Sequence, residues 1–175
     1  MRILLLSLGL LLAWPAASAQ ELHPSLEPFA MMIGQWEGRA EARMPQGAMV
    51  MQQTEDVRVE LGGNLIVIEG MGRQLDADGE PGEVVFNAYG ILSVDAQTGT
   101  AYLDAFTMEG RHTRVAPVVT EDGFEWSITP EQGPRIHYVM RLDEEGRWVE
   151  TGQVSLDGGT TWMPFFEMTL ERVSE

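Results

Sequence analysis

The chain has 175 residues and a formal net charge of −16 at pH 7, with 27 acidic residues, eleven arginines and no lysine. Such a negative surface repels phosphate backbones, so the composition argues against nucleic acid as a partner. The sequence also lacks cysteine. The fold must therefore be held by packing and hydrogen bonds, without disulfides.

The first nineteen residues have the pattern of a secretory signal peptide. Arg2 supplies a positive charge, residues 3–12 form an apolar stretch, and Ala17-Ser18-Ala19 is a small-residue cleavage site. The apolar stretch is too short for a membrane-spanning helix. We expect cleavage near Ala19/Gln20, export to the periplasm or beyond, no transmembrane segment, and one mature domain over residues 20–175.

The segment over residues 21–33 contains one plausible helical stretch. Leu26, Phe29, Ala30 and Ile33 fall at helical spacing, which predicts a short N-terminal helix with one apolar side. After this segment the apolar period changes to two, the period of β-strands.

Ten strands are predicted from this alternation, and a glycine lies at or beside nearly every break between them. Short strands with hairpin-length connections indicate an antiparallel meander, and closure into a barrel would remove its exposed edges. The expected fold is all-β, a single up-and-down barrel with the short helix across one mouth. The predicted strands cover residues 35–44, 48–60, 64–74, 83–93, 100–108, 111–119, 123–129, 134–142, 147–156 and 161–173.

Motifs at both ends of the mature chain resemble a known group of barrels. Gly34-x-Trp36 in the first strand and Arg172 in the last are similar to the closure pair of lipocalins and calycins, in which the Arg packs over the Trp. Further segments resemble an uncharacterised bacterial family of calycin-like proteins, over about residues 29–173. The resemblance implies a barrel and adds little about chemistry. These segments are Val94-Asp95, Thr98-Gly99, Trp148-x-Glu150-x-Gly152, Asp157-Gly158-Gly159-x-x-Trp162 and Phe166-Glu167-Met168.

Polar residues fall on strand faces that are otherwise apolar. In the second strand, Met51 and Val57 share a face with Gln53 and Glu55, and the same alternation applies in several later strands. Strands 64–74 and 83–93 are apolar on both faces, so the sequence does not show which of their faces points inward. The predicted ligand-binding residues are Gln53, Glu55, Tyr102, Asp104, Trp126, Tyr138 and Glu150.

An unpaired buried carboxylate costs several kcal/mol, on the order expected for a desolvated charge. These acids must therefore be paired, protonated or solvated in a cavity, which favours a pocket inside the barrel. The alternative is that a β-bulge shifts the parity and returns the acids to the surface.

No metal site is predicted, because the sequence has no closely spaced histidine pair and no cysteine. Some small bacterial barrels ligate haem through a histidine on a late strand, which makes His137 the one candidate haem ligand. His137 shares a face with Arg135 and Arg141, opposite the apolar set, and this favours an outward position. We therefore expect no cofactor.

The leading functional prediction is an exported, lipocalin-like protein that binds a small, mostly apolar or amphipathic ligand inside the barrel. Three alternatives remain open. The inward carboxylates could perform acid–base catalysis, such as isomerisation, hydration or cyclisation. The barrel could bind haem, or it could be solid and bind a protein partner on its outer face.

Overall fold

The computed structural model describes residues 21–45, 47–131 and 133–174. The predicted signal peptide lies outside these residues. The described chain is all-β, with eleven antiparallel strands in up-and-down order that curl into a half-barrel, which confirms the predicted fold class. The strands are β1 (Gly34–Met44), β2 (Gly47–Glu60), β3 (Leu65–Leu75), β4 (Pro81–Val94), β5 (Ala101–Thr107), β6 (His112–Val115), β7 (Val118–Val119), β8 (Gly123–Ile128), β9 (Arg135–Leu142), β10 (Trp148–Ser155) and β11 (Met163–Ser174).

The sheet is continuous through the two ends of the chain. Its strand order is β6-β5-β4-β3-β2-β1-β11-β10-β9-β8-β7, so β1 and β11 pair with each other and β6 and β7 form the two edges. Every other neighbouring pair consists of consecutive strands. The half-barrel is therefore joined at its termini and interrupted in the middle of the sequence.

The interruption divides the strand that was predicted over residues 111–119. Ala116 and Pro117 separate β6 from β7. Proline has no N–H to donate to a ladder, which is why it is confined to sheet edges and breaks. β6 instead packs against β8 without a hydrogen-bonded ladder between these described strands. We call this gap between β6 and β8 the seam.

Arg172 and Trp36 join the chain termini at one end of the half-barrel. The guanidinium carbon of Arg172 lies 4.1 Å from the centroid of the Trp36 ring, and Trp36 is 1% exposed. The guanidinium also donates to the backbone oxygens of Met31 and Ile33. Trp36 Nε1 donates to the backbone oxygen of Met32 at 2.7 Å. These contacts fasten the helical segment to both terminal strands.

The N-terminal helix is a 3₁₀ helix over Pro24–Met32, and it covers this same end. Its buried side chains are Leu26, Phe29 and Met32, spaced by three residues as a 3₁₀ helix requires. The predicted apolar side, which included Ala30 and Ile33, was therefore partly wrong, because it assumed the 3.6-residue period of an α-helix. No helix in the described ranges is both long and apolar enough to cross a membrane.

The packed core lies beneath this helix. The rings of Trp36 and Trp148 meet edge to face with centroids 5.8 Å apart. Ile66 of β3 and Leu92 of β4 are fully buried and paired in register, which defines the inner faces of the two strands that the sequence left open. The inner positions farther along β3 carry glycines, so the interior beyond this core is less filled.

Candidate functional site

Two carboxyl groups lie inside the half-barrel, beyond the packed core. Glu55 projects inward from β2, where it pairs with Trp36 of β1 and with Gly70 of β3. Glu150 projects inward from β10, two residues after the buried Trp148. The alternation of each strand places both carboxyls on the inner face, where the sequence predicted them.

Glu55 is held against the backbone of β3. It is 8% exposed, and its neighbour Gln53, which is 2% exposed, donates from Nε2 to Glu55 Oε1 at 2.7 Å. A Cβ atom added at Gly70 would lie 2.8 Å from both carboxyl oxygens. Only glycine leaves room for the carboxyl at this place, so β2 and β3 together define its position.

Glu150 has a single described hydrogen-bond donor. Trp148 Nε1 lies 3.3 Å from Glu150 Oε2, in a bond that ties the carboxyl to the edge of the packed core. The opposite strand, β9, places Met140 against Glu150 and Tyr138 against Gly152 in register. Glu150 is only partly buried, although it faces the interior. It therefore lies beside open space inside the half-barrel.

Both carboxyl groups ionise near neutral pH. Burial and, as a smaller effect, the charge of Glu150 together raise the pKa of Glu55 to about 8, against the hydrogen bond from Gln53, which lowers it. Burial also raises the pKa of Glu150 to about 7, against the hydrogen bond from Trp148. The pair is thus mostly protonated in mild acid and becomes charged between about pH 7 and pH 8.

An aromatic wall stands beside the carboxyls. The rings of Trp126 and Tyr138 stack with centroids 4.2 Å apart and planes 16° from parallel. Phe165 and Phe166 meet Tyr138 edge to face at 5.7 Å and 6.0 Å. Burial and the charge of Glu150 both raise the pKa of the Tyr138 phenol, so this group stays protonated and can donate a hydrogen bond.

Gly152 makes room for this wall. A Cβ atom there would lie 2.9 Å from ring carbons of both Tyr138 and Phe165. The pairing of β10 with β11 shifts register after Gly152, and Phe165 is the extra residue of the resulting bulge. The same bulge places Trp162, which precedes β11, on the outer face beside His137.

The seam opens onto this wall. A pocket of about 540 Å³ lies between β6 and β8, and its lining includes Thr113, Val115, Trp126 and Ile128. Trp126 belongs both to the pocket and to the aromatic wall. Tyr138 stacks on Trp126, and the charge of Glu150 raises the pKa of its phenol. Trp126 therefore connects the pocket to the aromatic wall, whereas neither carboxyl group lines the pocket itself.

Tyr102 and Asp104 do not join this set, and their predicted inward position was wrong. Leu103, between them, is buried opposite the fully buried Leu92, so its neighbours point outward. Asp104 is ion-paired with Arg114 at 3.2 Å and contacts His112 at 2.8 Å. The guanidinium of Arg114 also lies over the Tyr102 ring. β5 is apolar on both faces, and its alternation alone could not separate inside from outside.

His137 lies on the outer face, between Tyr138 and Ile136 that point inward. Its Nδ1 is 2.9 Å from Ser127 Oγ, and its Nε2 is 3.6 Å from Glu125 Oε2. His137 therefore does not reach the interior where a haem would be enclosed. Among the described residues, no group of three or more His, Asp or Glu side chains is arranged to hold a metal ion.

The sequence reading missed Trp148 and Gly70 as members of the site. Trp148 is buried in the packed core, and its indole N–H also donates to Glu150. Gly70 lies on a strand whose orientation was left open. Once Glu55 is known to face inward, Gly70 and Gly72 on the neighbouring strand indicate that the side chains of β2 need space there.

The fold of this chain resembles that of solved structures of other proteins. The crystal structure of Rv2717c from M. tuberculosis matches with a TM-score of 0.61 and 18% sequence identity, covering 87% of this chain and 99% of that one. At this identity the likeness shows a shared curled antiparallel fold and nothing about activity. No protein-family model and no curated protein sequence matches this chain significantly.

Proposed function

We propose that this chain is an exported binding protein that holds a small, mostly apolar ligand inside the half-barrel. The ligand would enter by the seam, lie against Trp126 and Tyr138, and set its polar group against Glu55 and Glu150. The observation that carries the proposal is the presence of two carboxyl groups on the inner face, next to an aromatic wall that borders an open pocket.

A purely structural interior offers no reason for this arrangement. Replacing inner apolar residues by two carboxyls raises the free energy of the folded state, because each charge must leave water or keep a proton. Neither carboxyl forms an ion pair among the described residues. Pockets that orient ligands commonly combine aromatic walls with a few polar groups of this kind.

Native mass spectrometry of the mature protein, purified from its own compartment, tests the proposal. We expect a reproducible mass excess that disappears on denaturation. Trp126→Ala should remove the excess, because Trp126 forms both the pocket lining and the wall. Trp162→Ala is the matched control, since this tryptophan lies on the outer face. A bare chain mass, together with no uptake of the neutral dye Nile red by the folded protein, would contradict the proposal.

The second candidate is an acid–base enzyme on the same scaffold, and the pKa values of the pair favour it. A general acid and a general base work best when their pKa values lie near the working pH. Glu55 at about 8 and Glu150 at about 7 meet this condition. This candidate predicts turnover of the bound ligand that is lost in Glu55→Gln or Glu150→Gln while the bound mass remains.

A further inference from the structure

The charges inside the half-barrel do not balance. Glu55 and Glu150 face the interior, and no arginine or histidine among the described residues forms an ion pair with either of them. The sequence has no lysine to supply the missing charge. Several arginines are engaged elsewhere, for example Arg58 with outer-face carboxylates and Arg172 with Trp36.

The two carboxyls also have unused acceptor atoms. Glu55 Oε1 accepts from Gln53 and Glu150 Oε2 accepts from Trp148, but Glu55 Oε2 and Glu150 Oε1 carry no hydrogen bond from any described residue. Glu55 is more than nine-tenths buried. These two oxygens are not sealed from solvent, since the one buried side-chain oxygen without a partner among the described residues is Thr107 Oγ1. A ligand can therefore reach them and supply a donor.

The wall next to these acceptors suits a positive charge. Trp126 and Tyr138 stack on each other, so each ring has at most one face left for a ligand, and an aromatic face attracts cations within about 6 Å of its centroid. The two neighbouring phenylalanines add apolar area. The site thus combines negative charge, hydrogen-bond acceptors and π surfaces. The cationic side chain in the pocket lining, Arg114, is ion-paired with Asp104.

We propose that the ligand of this interior is an amphiphilic organic ammonium ion, whose N–H donors bind Glu55 and Glu150 and whose apolar part lies against Trp126 and Tyr138. This inference rests on the proposed function and adds the chemical class of the ligand. The net charge of −16 supports it, because a negative surface raises the local concentration of cations near the seam.

Binding of such an ion should depend on pH. The ammonium requires charged carboxylates, so its affinity should increase as pH rises from about 6 to about 8, through the pKa values of the pair. The other titratable group near the pair is Tyr138 on β9, and Arg111, before β6, acts on Tyr138. The strands that flank Glu55 contribute Trp36 and Gly70, which do not titrate.

Two matched pairs of probes test the class directly: phenethylammonium with 2-phenylethanol, and octylammonium with 1-octanol. Each pair differs in charge and shares its apolar part. At about pH 8 we expect calorimetry to show each ammonium binding at least about tenfold more tightly than its alcohol. Glu55→Gln and Glu150→Gln should each remove this preference and leave alcohol binding nearly unchanged. The control Glu69→Gln, which removes a carboxylate from the outer face of β3, should retain it.

The remaining outcomes separate this inference from the proposed function. Equal or tighter binding of the alcohols would overturn the ammonium class and leave a neutral-ligand pocket. If Glu69→Gln and Glu55→Gln reduced the preference for ammonium over alcohol equally, the ammonium inference would be overturned too, because the general negative charge of the surface would then account for the preference. Failure of all four probes to bind the folded protein below about 10 mM would count against both proposals.

Discussion

Glu55 links the stability of this protein to pH. Its pKa is about 4.5 in a model peptide and about 8 in the folded chain, so the folded state retains a proton that the unfolded state releases. Stability therefore stays at its full value below about pH 4.5, declines as pH rises towards about 8, and is level above that. Glu150 adds a smaller decline that ends near pH 7.

Glu55→Gln should remove most of this decline. Glutamine has nearly the same shape and never ionises, so the variant should be more stable than the wild type at about pH 9 by several kcal/mol, on the order that a pKa shift of this size implies. Urea unfolding at about pH 5, 7 and 9 measures the effect. Glu69→Gln on the outer face is the control. Parallel pH profiles for the wild type and Glu55→Gln would show that Glu55 is not buried as described.

The inner residues of the site were partly predictable for a physical reason. Gln53, Glu55, Trp126, Tyr138 and Glu150 lie on strands whose two faces differ in polarity, so the alternation identified the inner face. Their role in binding stays a prediction. Tyr102 and Asp104 lie on β5, where Leu103 and Ala105 are as apolar as Tyr102 and Phe106. Which face of β5 points inward is shown by the pairing of Leu103 with the buried Leu92 of β4. The sequence does not show which residues pair across strands.

At the scale of elements, the junction of β1 with β11 depends on Gly38. A Cβ atom at this position would overlap the backbone oxygen of Thr169 and lie 2.9 Å from Leu170 Cα. Backbone atoms in a paired strand cannot move aside as a flexible side chain can. The close approach of the two terminal strands therefore requires glycine here.

Gly38→Ala should destabilise the fold by about 2 kcal/mol or more, as expected for overpacking against rigid neighbours. Gly82→Ala on β4 is the matched control, because its added Cβ would meet only Gln74 O, at 3.4 Å. Chemical denaturation at one pH compares the two variants. If Gly38→Ala were as stable as Gly82→Ala, the described spacing of β1 and β11 would be wrong.

Strand boundaries were predictable where glycine-rich turns separate the strands, and less so where the chain deviates inside a strand. The sequence predicted one strand over residues 111–119, but Pro117 divides it into β6 and β7. The bulge at Phe165 inverts the facing of the residues before it. Both deviations depend on one residue, whereas alternation is a property averaged over a whole strand.

For the whole molecule, the seam should be the most easily opened region. β6 has four residues and pairs only with β5, and β7 has two residues and pairs only with β8. β1 and β2, by contrast, are long and paired on both sides. Local opening is easiest where few buried contacts and hydrogen bonds must be lost.

Hydrogen exchange should report this difference. We expect amides in residues 112–119 to exchange well before those in residues 34–60, measured by mass spectrometry of peptic fragments. A ligand that enters by the seam should slow amide exchange in residues 112–119 and leave exchange in residues 34–60 nearly unchanged. Equal protection of both regions in the free protein would show that the seam is as firmly held as the joined termini.

The position of the interruption has a consequence for how the chain could be rearranged. Among the strands that the structure describes, only the β1–β11 pairing joins residues far apart in the sequence, while the consecutive strands β6 and β7 share no ladder. A circular permutant that links the two ends of the described chain, residues 174 and 21, and begins at Pro117 would place the strands in the same order in sequence and in space. Every strand would then pair with its neighbour in sequence. The chain would have to close only short loops, which lowers the entropic cost of forming the sheet.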